Sequence, residues 1–230
     1  MPRARFYFEG DLSLFLLPSL RGHEVERSWS DTDTLTHVIE SIGVPHTEVE
    51  RIEQAGDLIR VYPYRPERLR DPRFVLDQHL GRLAAYMRML GFDVLHKVPA
   101  PDDELAATSS REDRVLLTRD VGLLKRREVR RGYFVRATDP RAQVSEVVKR
   151  FCLVDAIAAF TRCFLCNTPL HQVDKAAVAG QLPERTADLH NDFKQCGTCG
   201  RVYWKGSHYD RMRALIERIR TENSEPERFG

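Results

Sequence analysis

The pattern of hydrophobic and polar positions divides the chain into three segments. In the first, up to residue 66, ARFYFEG alternates apolar and polar residues as a strand does, and GHEVERSW and the two runs around Gly56-Asp57 predict further strands. Between them, DTDTLTHVIESIG predicts a helix that Asp31 or Thr32 caps and Gly43 ends. Four residues form its apolar face: Leu35, Val38, Ile39 and Ile42.

The second segment, residues 67–151, alternates strands with helices. RFVLD, FDVLHK, RVLLT and YFVRAT read as short strands, and each is followed by a helical pattern, the third being DVGLLKRREVR. The first helix carries a single apolar stripe: Leu80, Leu83, Ala84, Met87 and Leu90. This repetition predicts a parallel α/β sheet that is covered by helices on both faces.

The third segment, residues 152–230, ends in the helical pattern HYDRMRALIERIR and a polar stretch, TENSEPERFG, that we expect to be frayed. The predicted fold class is therefore mixed α/β and α+β. The order strand, strand, helix, strand, strand predicts a ubiquitin-like β-grasp domain at 1–66, joined by a Pro- and Arg-rich linker to the central sheet.

Four cysteines in the third segment form two C-x2-C pairs. Cys163 and Cys166 lie in RCFLCN, Cys196 and Cys199 lie in QCGTCGR, and 29 residues separate the pairs. Two such turns make a tetrahedral zinc site, and because protein fills all four positions the ion is structural. Two disulfides or a redox motif are the alternatives, and reduced thiols favour zinc. Cys152, in an apolar run, is predicted to be a buried small hydrophobic residue.

Charge and hydropathy limit the location and the partners. The N-terminal sequence has no apolar signal core and the longest apolar stretch, LSLFLLPSL, is too short to span a bilayer, so we expect a cytoplasmic protein without a membrane partner. The formal net charge is only +2, but residues 67–150 carry 18 basic and 13 acidic side chains. Their densest basic patch, KRREVRR at 125–131, suits phosphate binding, although a solvated helix face is the simpler explanation.

Acidic residues recur where strands of the central segment end or the following helices begin: Asp77, Asp102, Asp103, Glu104, Asp120 and Asp139. Sites in parallel sheets form just beyond the carboxyl ends of the strands, and clustered acids favour hard cations such as Mg²⁺ or Mn²⁺. For the three acids that open the second helix, capping is the simpler interpretation, and Asp139 lies in an ordinary Asp-Pro turn. Asp77 and Asp120 are therefore the strongest predicted ligands.

Several of these motifs together resemble the Mut7-C family. They are FVLDQHLGRLAAYMRMLGFDVLHK, DDELA, RVLLTRDVGLLKRR, RCFLCN and CGTCGRVYWKGSHYDRM. The resemblance implies a PIN-like nuclease domain at 67–151 followed by a zinc ribbon at 152–230. The first segment resembles the ubiquitin-like domain that precedes them in some bacterial members.

The resemblance also implies a site and an activity. PIN-like domains are metal-dependent ribonucleases that gather three or four acids around one or two Mg²⁺ or Mn²⁺ ions. Asp77 and Asp120 would be core ligands and catalytic residues, Asp102 or Asp103 would supply a third acid, and Asp139 is the open choice for a fourth. A metal-bound water would then attack an RNA phosphodiester.

Basic and aromatic residues supply the predicted RNA contacts. Six residues are expected to bind RNA: Arg119, Lys125, Arg126, Arg127, Arg130 and Lys205. Arg119 could instead face solvent. In the zinc ribbon, Tyr203 and Trp204 precede Lys205, and such an interleaved run can stack bases and pair with phosphates. Tyr203 and Trp204 could equally cover the small zinc core.

Three functions remain open from the sequence. The first is a metal-dependent ribonuclease, and the second is a non-catalytic RNA- or ribosome-binding adaptor with a degenerate acid site. The third, a sulfur carrier, conflicts with the first segment, which continues as YPYRPERLRDP without a free diglycine. We therefore expect the first segment to be a docking module for a protein partner.

Overall fold

The computed structural model describes residues 1–224, and they form two compact units. The first unit combines residues 1–67 with 98–136, and the second combines residues 68–97 with the chain from residue 137 onwards. The boundaries predicted at 66 and 151 follow the order of the sequence motifs and remain predictions. The final six residues, which include most of the tail expected to be frayed, lie outside the described part.

The N-terminal part of the first unit is a four-stranded sheet with one helix. Its elements are β1 (Arg3–Phe8), β2 (Val25–Ser28), α1 (Leu35–Ile42), β3 (Val49–Ala55) and β4 (Leu58–Pro63). The sheet order is β2-β1-β4-β3, in which β1 and β4 run parallel and the outer pairs are antiparallel. This topology confirms the predicted ubiquitin-like β-grasp fold.

Helix α1 closes the core of this sheet with the apolar face that the sequence predicts. Val38, Ile39 and Ile42 are buried, and Leu35 packs at the edge of the same core. The cap predicted at Asp31 or Thr32 is wrong. Asp31 and Thr32 form a turn, and the hydroxyl of Thr34 accepts the N–H of His37 at 3.2 Å.

The predicted end of α1 is confirmed. Gly43 follows the helix with φ 140°, and a Cβ there would lie 2.8 Å from the carbonyl oxygen of Phe15. Both the backbone conformation and the close approach require glycine.

The rest of the first unit is a βα arrangement around a parallel pair of strands. Its elements are α3 (Asp102–Arg111), β7 (Val115–Thr118), α4 (Val121–Leu124) and β8 (Gly132–Phe134). Strands β7 and β8 are parallel, with Thr118 opposite Phe134. The long helix predicted over DVGLLKRREVR is wrong, because α4 ends at Leu124 and the basic patch continues in turns.

The ubiquitin-like part packs directly on these turns. The ring Nε2 of His46 lies 2.8 Å from the carbonyl oxygen of Val129, whose side chain is fully buried. The Lys125 ammonium donates to the carbonyl of Glu40 at 2.6 Å. The contact of His46 with Val129 favours turns after α4, since a continued helix would carry Val129 elsewhere.

A buried ion pair reinforces the same contact. Glu48, which is 5% exposed, accepts the N–H of Phe134 at 2.6 Å and the guanidinium of Arg136 at 2.8 Å. The rings of Phe15 and Phe134 meet edge to face, 5.4 Å apart. Burial raises the pKa of Glu48, and Arg136 acts against that rise. The first unit therefore has a docking surface for the ubiquitin-like part within this chain.

The second unit begins with β5 (Arg73–Leu76), α2 (Gly81–Met89) and β6 (Asp93–His96) and continues with α5 (Pro140–Arg150). Strands β5 and β6 are parallel, as predicted, and α2 packs against both β6 and α5. The five residues of the predicted apolar stripe are all buried. Each of its leucine and methionine side chains contributes roughly 1.5–3 kcal/mol to folding.

The C-terminal part of the second unit is a small antiparallel sheet followed by a long helix. Its elements are β9 (Leu170–Val173), α6 (Lys175–Val178), α7 (Thr186–Leu189), β10 (Phe193–Cys196), β11 (Val202–Trp204) and α8 (Ser207–Ser224). The sheet order is β11-β10-β9. Helix α8 packs against α5 and buries Ile216 and Ile219, and it extends helically through TENS of the predicted frayed tail.

Membrane-spanning helices were sought in the described residues. None of the helices in residues 1–224 has both the length and the apolar composition that crossing a bilayer requires.

Candidate functional site

Four cysteine thiols converge at the small C-terminal sheet. The Sγ atoms of Cys163, Cys166, Cys196 and Cys199 all lie within 4.8 Å of one another. Cys163 and Cys199 are 3.6 Å apart, and Cys166 and Cys196 are 3.3 Å apart. A tetrahedral zinc ion with Zn–S bonds of 2.3 Å would separate its sulfurs by about 3.8 Å. The predicted cluster is thus formed, and it could hold zinc.

The backbone of each knuckle fixes its pair of thiols. In the first knuckle, the N–H of Asn167 bonds to the carbonyl of Cys163, and Asn167 itself adopts a left-handed conformation with φ 71°. In the second knuckle, Gly200 repeats the same bond to Cys196 with the same φ of 71°. Asparagine and glycine tolerate this conformation best, which explains their place one residue after the second cysteine.

The pKa values of the cysteine thiols differ within the cluster and bear on whether it needs a cation. Burial raises the pKa of the Cys163 thiol, but hydrogen bonds from Tyr203 and from the backbone outweigh it, so that the pKa is lowered. The backbone of Arg201 lowers the pKa of Cys199, whereas burial and the neighbouring thiols raise it to about 11. Four thiolates this close repel one another, and a divalent cation removes that repulsion.

A buried arginine and an asparagine, which the sequence did not point out, hold the first knuckle. Arg88 of α2 is 5% exposed, and its guanidinium donates to the carbonyls of Val94, Phe164 and Leu165. Burial lowers the pKa of Arg88, and the charges of the nearby cysteines oppose that change. The side chain of Asn167 bridges the same knuckle to β6, because it accepts from the N–H of Val94 at 3.0 Å.

Asp77 lies directly after β5, at the carboxyl end of the strand. It is 5% exposed, and its Oδ1 accepts the N–H of His79 at 2.7 Å, which caps the 3-10 turn Gln78–Leu80. The strand ends at Leu76, so the prediction that Asp77 is its last residue is off by one. A buried carboxylate at this position has the donor type that Mg²⁺ and Mn²⁺ prefer.

Asp120 occupies the matching position two residues after β7. Its Oδ1 accepts the N–H groups of Gly122 and Leu123, at 2.6 and 3.2 Å, and so caps α4. Within the described residues, its Oδ2 has no hydrogen-bond partner. One oxygen is therefore held by the backbone and the other is available to a cation.

The other predicted acids sit at helix starts. Asp102 and Asp103 are exposed in the first turn of α3, and Asp139 caps α5 by accepting the N–H groups of Arg141 and Ala142. The hydrogen bond from Ala142 is the main cause of the lowered pKa of Asp139. Among the residues whose side chains the structure describes, the four cysteines are the only group of three or more acids, histidines or cysteines whose ligand atoms lie this close together.

The basic residues predicted to contact RNA differ in how far they are already engaged. The guanidinium of Arg119 donates to the carbonyls of Val135 and Arg136, both at 2.8 Å. Lys125 is held by Glu40, as described above, and burial lowers its pKa. Arg126 is half-buried, whereas Arg127 and Arg130 are exposed.

Tyr203, Trp204 and Lys205 have three different environments. The hydroxyl of Tyr203 lies 3.1 Å from Cys163 Sγ, so this ring covers the cysteine cluster. The indole of Trp204 instead lines a cavity beside it. The Lys205 ammonium pairs with Asp192 at 2.7 Å, and that hydrogen bond raises the pKa of Lys205.

Cys152 corrects a minor prediction. Its side chain is exposed rather than buried, because the residue follows α5 with a left-handed φ of 49° that turns it away from the core.

Together these features define a class of protein that combines a ubiquitin-like domain, a parallel α/β domain and a C-terminal four-cysteine site. Residues 72–216 match the family model described as the Mut7-C RNAse domain, and residues 1–68 match the one described as Mut7-C ubiquitin. The chain therefore belongs to the Mut7-C family, as its motifs suggested. No curated protein and no solved structure matched the chain.

Proposed function

We propose that this protein is a metal-dependent ribonuclease that hydrolyses RNA phosphodiester bonds. The observation that carries the proposal is the match of residues 72–216 to an RNAse domain, since this range contains all the predicted acids. The positions of Asp77 and Asp120, each just beyond the carboxyl end of a parallel strand, support it further.

Asp77 and Asp120 would hold Mg²⁺ or Mn²⁺. In each, the backbone N–H groups that contact Oδ1 fix the carboxylate, so that it is oriented before a cation arrives. Such an ion polarises a phosphate oxygen and lowers the pKa of a bound water. Asp102 or Asp103, exposed at the start of α3, would orient the attacking water or a second ion.

Zinc is the proposed ion of the cysteine cluster. Its four thiolate donors and their spacing suit Zn²⁺, and because the protein supplies every ligand, the ion would be structural. A thiolate site needs reduced cysteines, which supports a cytoplasmic location.

The RNA strand would contact the basic turns after α4. Arg127 and Arg130 are the exposed members of that patch and are the first choice for phosphate contacts. Arg119 and Lys125 already donate to backbone carbonyls, so we assign them a positioning role. Arg126 is half-buried and is therefore less accessible to RNA than Arg127 and Arg130.

A second function has one observation in its favour. The acids do not form a ligand group as tight as the cysteines within the described residues, and Asp139 is committed to capping α5. A non-catalytic RNA-binding adaptor with a degenerate acid site would have this arrangement.

A cleavage assay separates the two functions. Labelled single-stranded RNA is incubated with the zinc-loaded protein and Mn²⁺, beside the double variant Asp77→Asn plus Asp120→Asn. The nuclease predicts cleavage that needs Mn²⁺ and disappears in the variant. Equal cleavage by the variant would refute the site, and RNA binding without cleavage in either protein would favour the adaptor.

A further inference from the structure

A cavity of about 170 Å³ opens in the second unit, beside the cysteine cluster. Five aromatic side chains line it: Phe160, Phe164, Tyr203, Trp204 and Tyr209. Most of these rings already pack on one another. Phe164 and Tyr203 meet edge to face at 5.0 Å between centroids, and Phe160 and Tyr209 lie 4.6 Å apart.

Trp204 differs from the other four. Its indole has no aromatic partner among the described residues, although it lines the same cavity. A planar ligand that entered the cavity would therefore meet a large ring that is not paired with another aromatic ring. Tryptophan offers the largest such face of any side chain.

The rim of the cavity carries two lysines and one carboxylate, and Lys205 is paired with that carboxylate, Asp192, at 2.7 Å, so that Lys194 supplies the net positive charge. Lys205 is exposed, and Lys194 is held in place by donating to the carbonyl of Phe160 at 3.1 Å. Asp192 is the one acid that lines the cavity in the described part of the chain. Flat apolar walls with a positive rim suit an aromatic ring that carries a negative charge beside it, and an RNA nucleotide has this form.

A second groove adjoins this cavity. It encloses about 510 Å³ and shares Met212 with the aromatic cavity. Arg211 and Arg218 of α8 line it together with Arg141 of α5. The two arginines of α8 are seven residues apart, which places them on one face of the helix, two turns from each other. Among the described residues that line this groove, none is acidic, but Arg218 pairs with the exposed Glu222 of the same helix at 3.0 Å.

We infer that the aromatic cavity and the arginine groove together bind single-stranded RNA. One unpaired base stacks on Trp204, and the phosphates that follow it run past Met212 along the three arginines. The inference rests on the proposed function for the identity of the ligand. It concerns RNA binding alone, so the binding experiments test it whether or not the protein cleaves RNA.

Fluorescence tests the cavity without any substitution in it. The chain contains two tryptophans, and Trp29→Phe leaves Trp204 as the only emitter. A short oligoadenylate is titrated into this zinc-loaded variant without added Mg²⁺ or Mn²⁺, beside an abasic oligonucleotide of the same length. We expect the oligoadenylate to quench the emission and the abasic strand to leave it unchanged. Equal quenching by both strands, or by neither, overturns base stacking on Trp204.

Two substitutions then test the affinity. Trp204→Leu should weaken oligoadenylate binding by roughly 5-fold to 100-fold, the range that one stacked base contributes. Tyr64→Leu removes an exposed aromatic residue of the linker and is the control. Unchanged affinity in Trp204→Leu would contradict the inference, and zinc content verifies that the variant is folded.

The groove has a matched control on the same helix. Arg211→Gln plus Arg218→Gln should reduce the slope of log affinity against log salt by about 1.4, or about 0.7 for each phosphate contact. Arg213 is exposed on the opposite face of α8 and lines neither cavity, so Arg213→Gln should leave the slope unchanged. Equal slopes for all these variants would remove the groove from the RNA path. Binding that passes these tests in a protein that does not cleave RNA would support this surface and favour the adaptor over the nuclease.

Discussion

Asp77 and Asp120 each use one carboxylate oxygen to accept backbone N–H groups, and asparagine can accept the same bonds. Substitution by Asn therefore removes the charge and keeps the cap, whereas Ala removes both. We expect Asp120→Asn to unfold at the same temperature as the native protein and to lose Mn²⁺-dependent cleavage. Asp120→Ala should lose cleavage and also about 1 kcal/mol of stability. If Asp120→Asn still cleaves RNA, Asp120 is only a helix cap.

Arg88 leads to a second prediction at the residue scale. Arg88→Met keeps much of the apolar packing of the side chain but leaves the carbonyls of Val94, Phe164 and Leu165 without their donor. We expect a loss of stability on the order of 3 kcal/mol and faster transfer of zinc to a chelator, since the first knuckle is no longer held.

Arg82 provides the control for this prediction, because it lies on the same helix and is exposed. Arg82→Met should change neither thermal unfolding nor zinc transfer by a measurable amount. Similar effects from both substitutions would show that loss of charge on α2, rather than the contact with the knuckle, is responsible.

The role of Arg88 could not be predicted from the sequence, whereas the cysteine cluster could. The spacing of the four cysteines predicted the metal-binding cluster from residue types alone. Nothing in the spacing indicated that Arg88 holds the first knuckle, since the two are more than 70 residues apart in the chain. One signal was present: Arg88 interrupts the apolar stripe of its helix directly after the buried Met87, and a charged residue at such a position needs buried partners.

At the scale of elements, the apolar periodicity predicted those helices whose residues mainly contact their own core. Helices α1 and α2 bury the faces that the sequence assigned to them. Helix α4 was predicted too long because the turns after it are held by long-range contacts, such as the one between the carbonyl of Val129 and the ring of His46, 83 residues earlier. A periodic pattern contains no information about such a partner.

The zinc knuckles lead to a prediction about three strands. Strands β9, β10 and β11 form a small sheet whose central strand ends at Cys196 of the four-cysteine cluster. We expect chelation of zinc to abolish amide-exchange protection in β10 and β11, because the thiolates then take up protons and the ion no longer cross-links the two knuckles. Protection in β1 and β4 should persist, since their core lies in the other unit. Retained protection in β10 would show that the fold of the ribbon does not need the metal.

At the scale of the whole chain, the two compact units cut across the order of the sequence motifs. The first unit joins the ubiquitin-like part to residues 98–136, which the family model assigns to the RNAse domain. Sequence reasoning anticipated a docking module with a protein partner, and the structure shows that a docking surface lies on this chain itself. The sequence pattern could not show this surface, because it depends on contacts between distant residues. Glu48, for example, accepts the N–H of Phe134, which lies 86 residues later in the chain.

Glu48 therefore provides a test of how firmly the two parts of the first unit are joined. Glu48→Ala removes the acceptor of the Phe134 N–H and the buried carboxylate that pairs with the guanidinium of Arg136, which should lower stability by on the order of 3 kcal/mol. Asp11 is an exposed partner of the same Arg136, and Asp11→Ala should cost less than about 1 kcal/mol.

Thermal unfolding and amide exchange of β8 measure both effects. We expect Glu48→Ala to accelerate exchange at Phe134 far more than Asp11→Ala does, because Glu48 alone accepts that amide. If the two variants behave alike, the buried ion pair does not hold the ubiquitin-like part to residues 98–136. In that case the apolar contact between Phe15 and Phe134 would have to carry the connection.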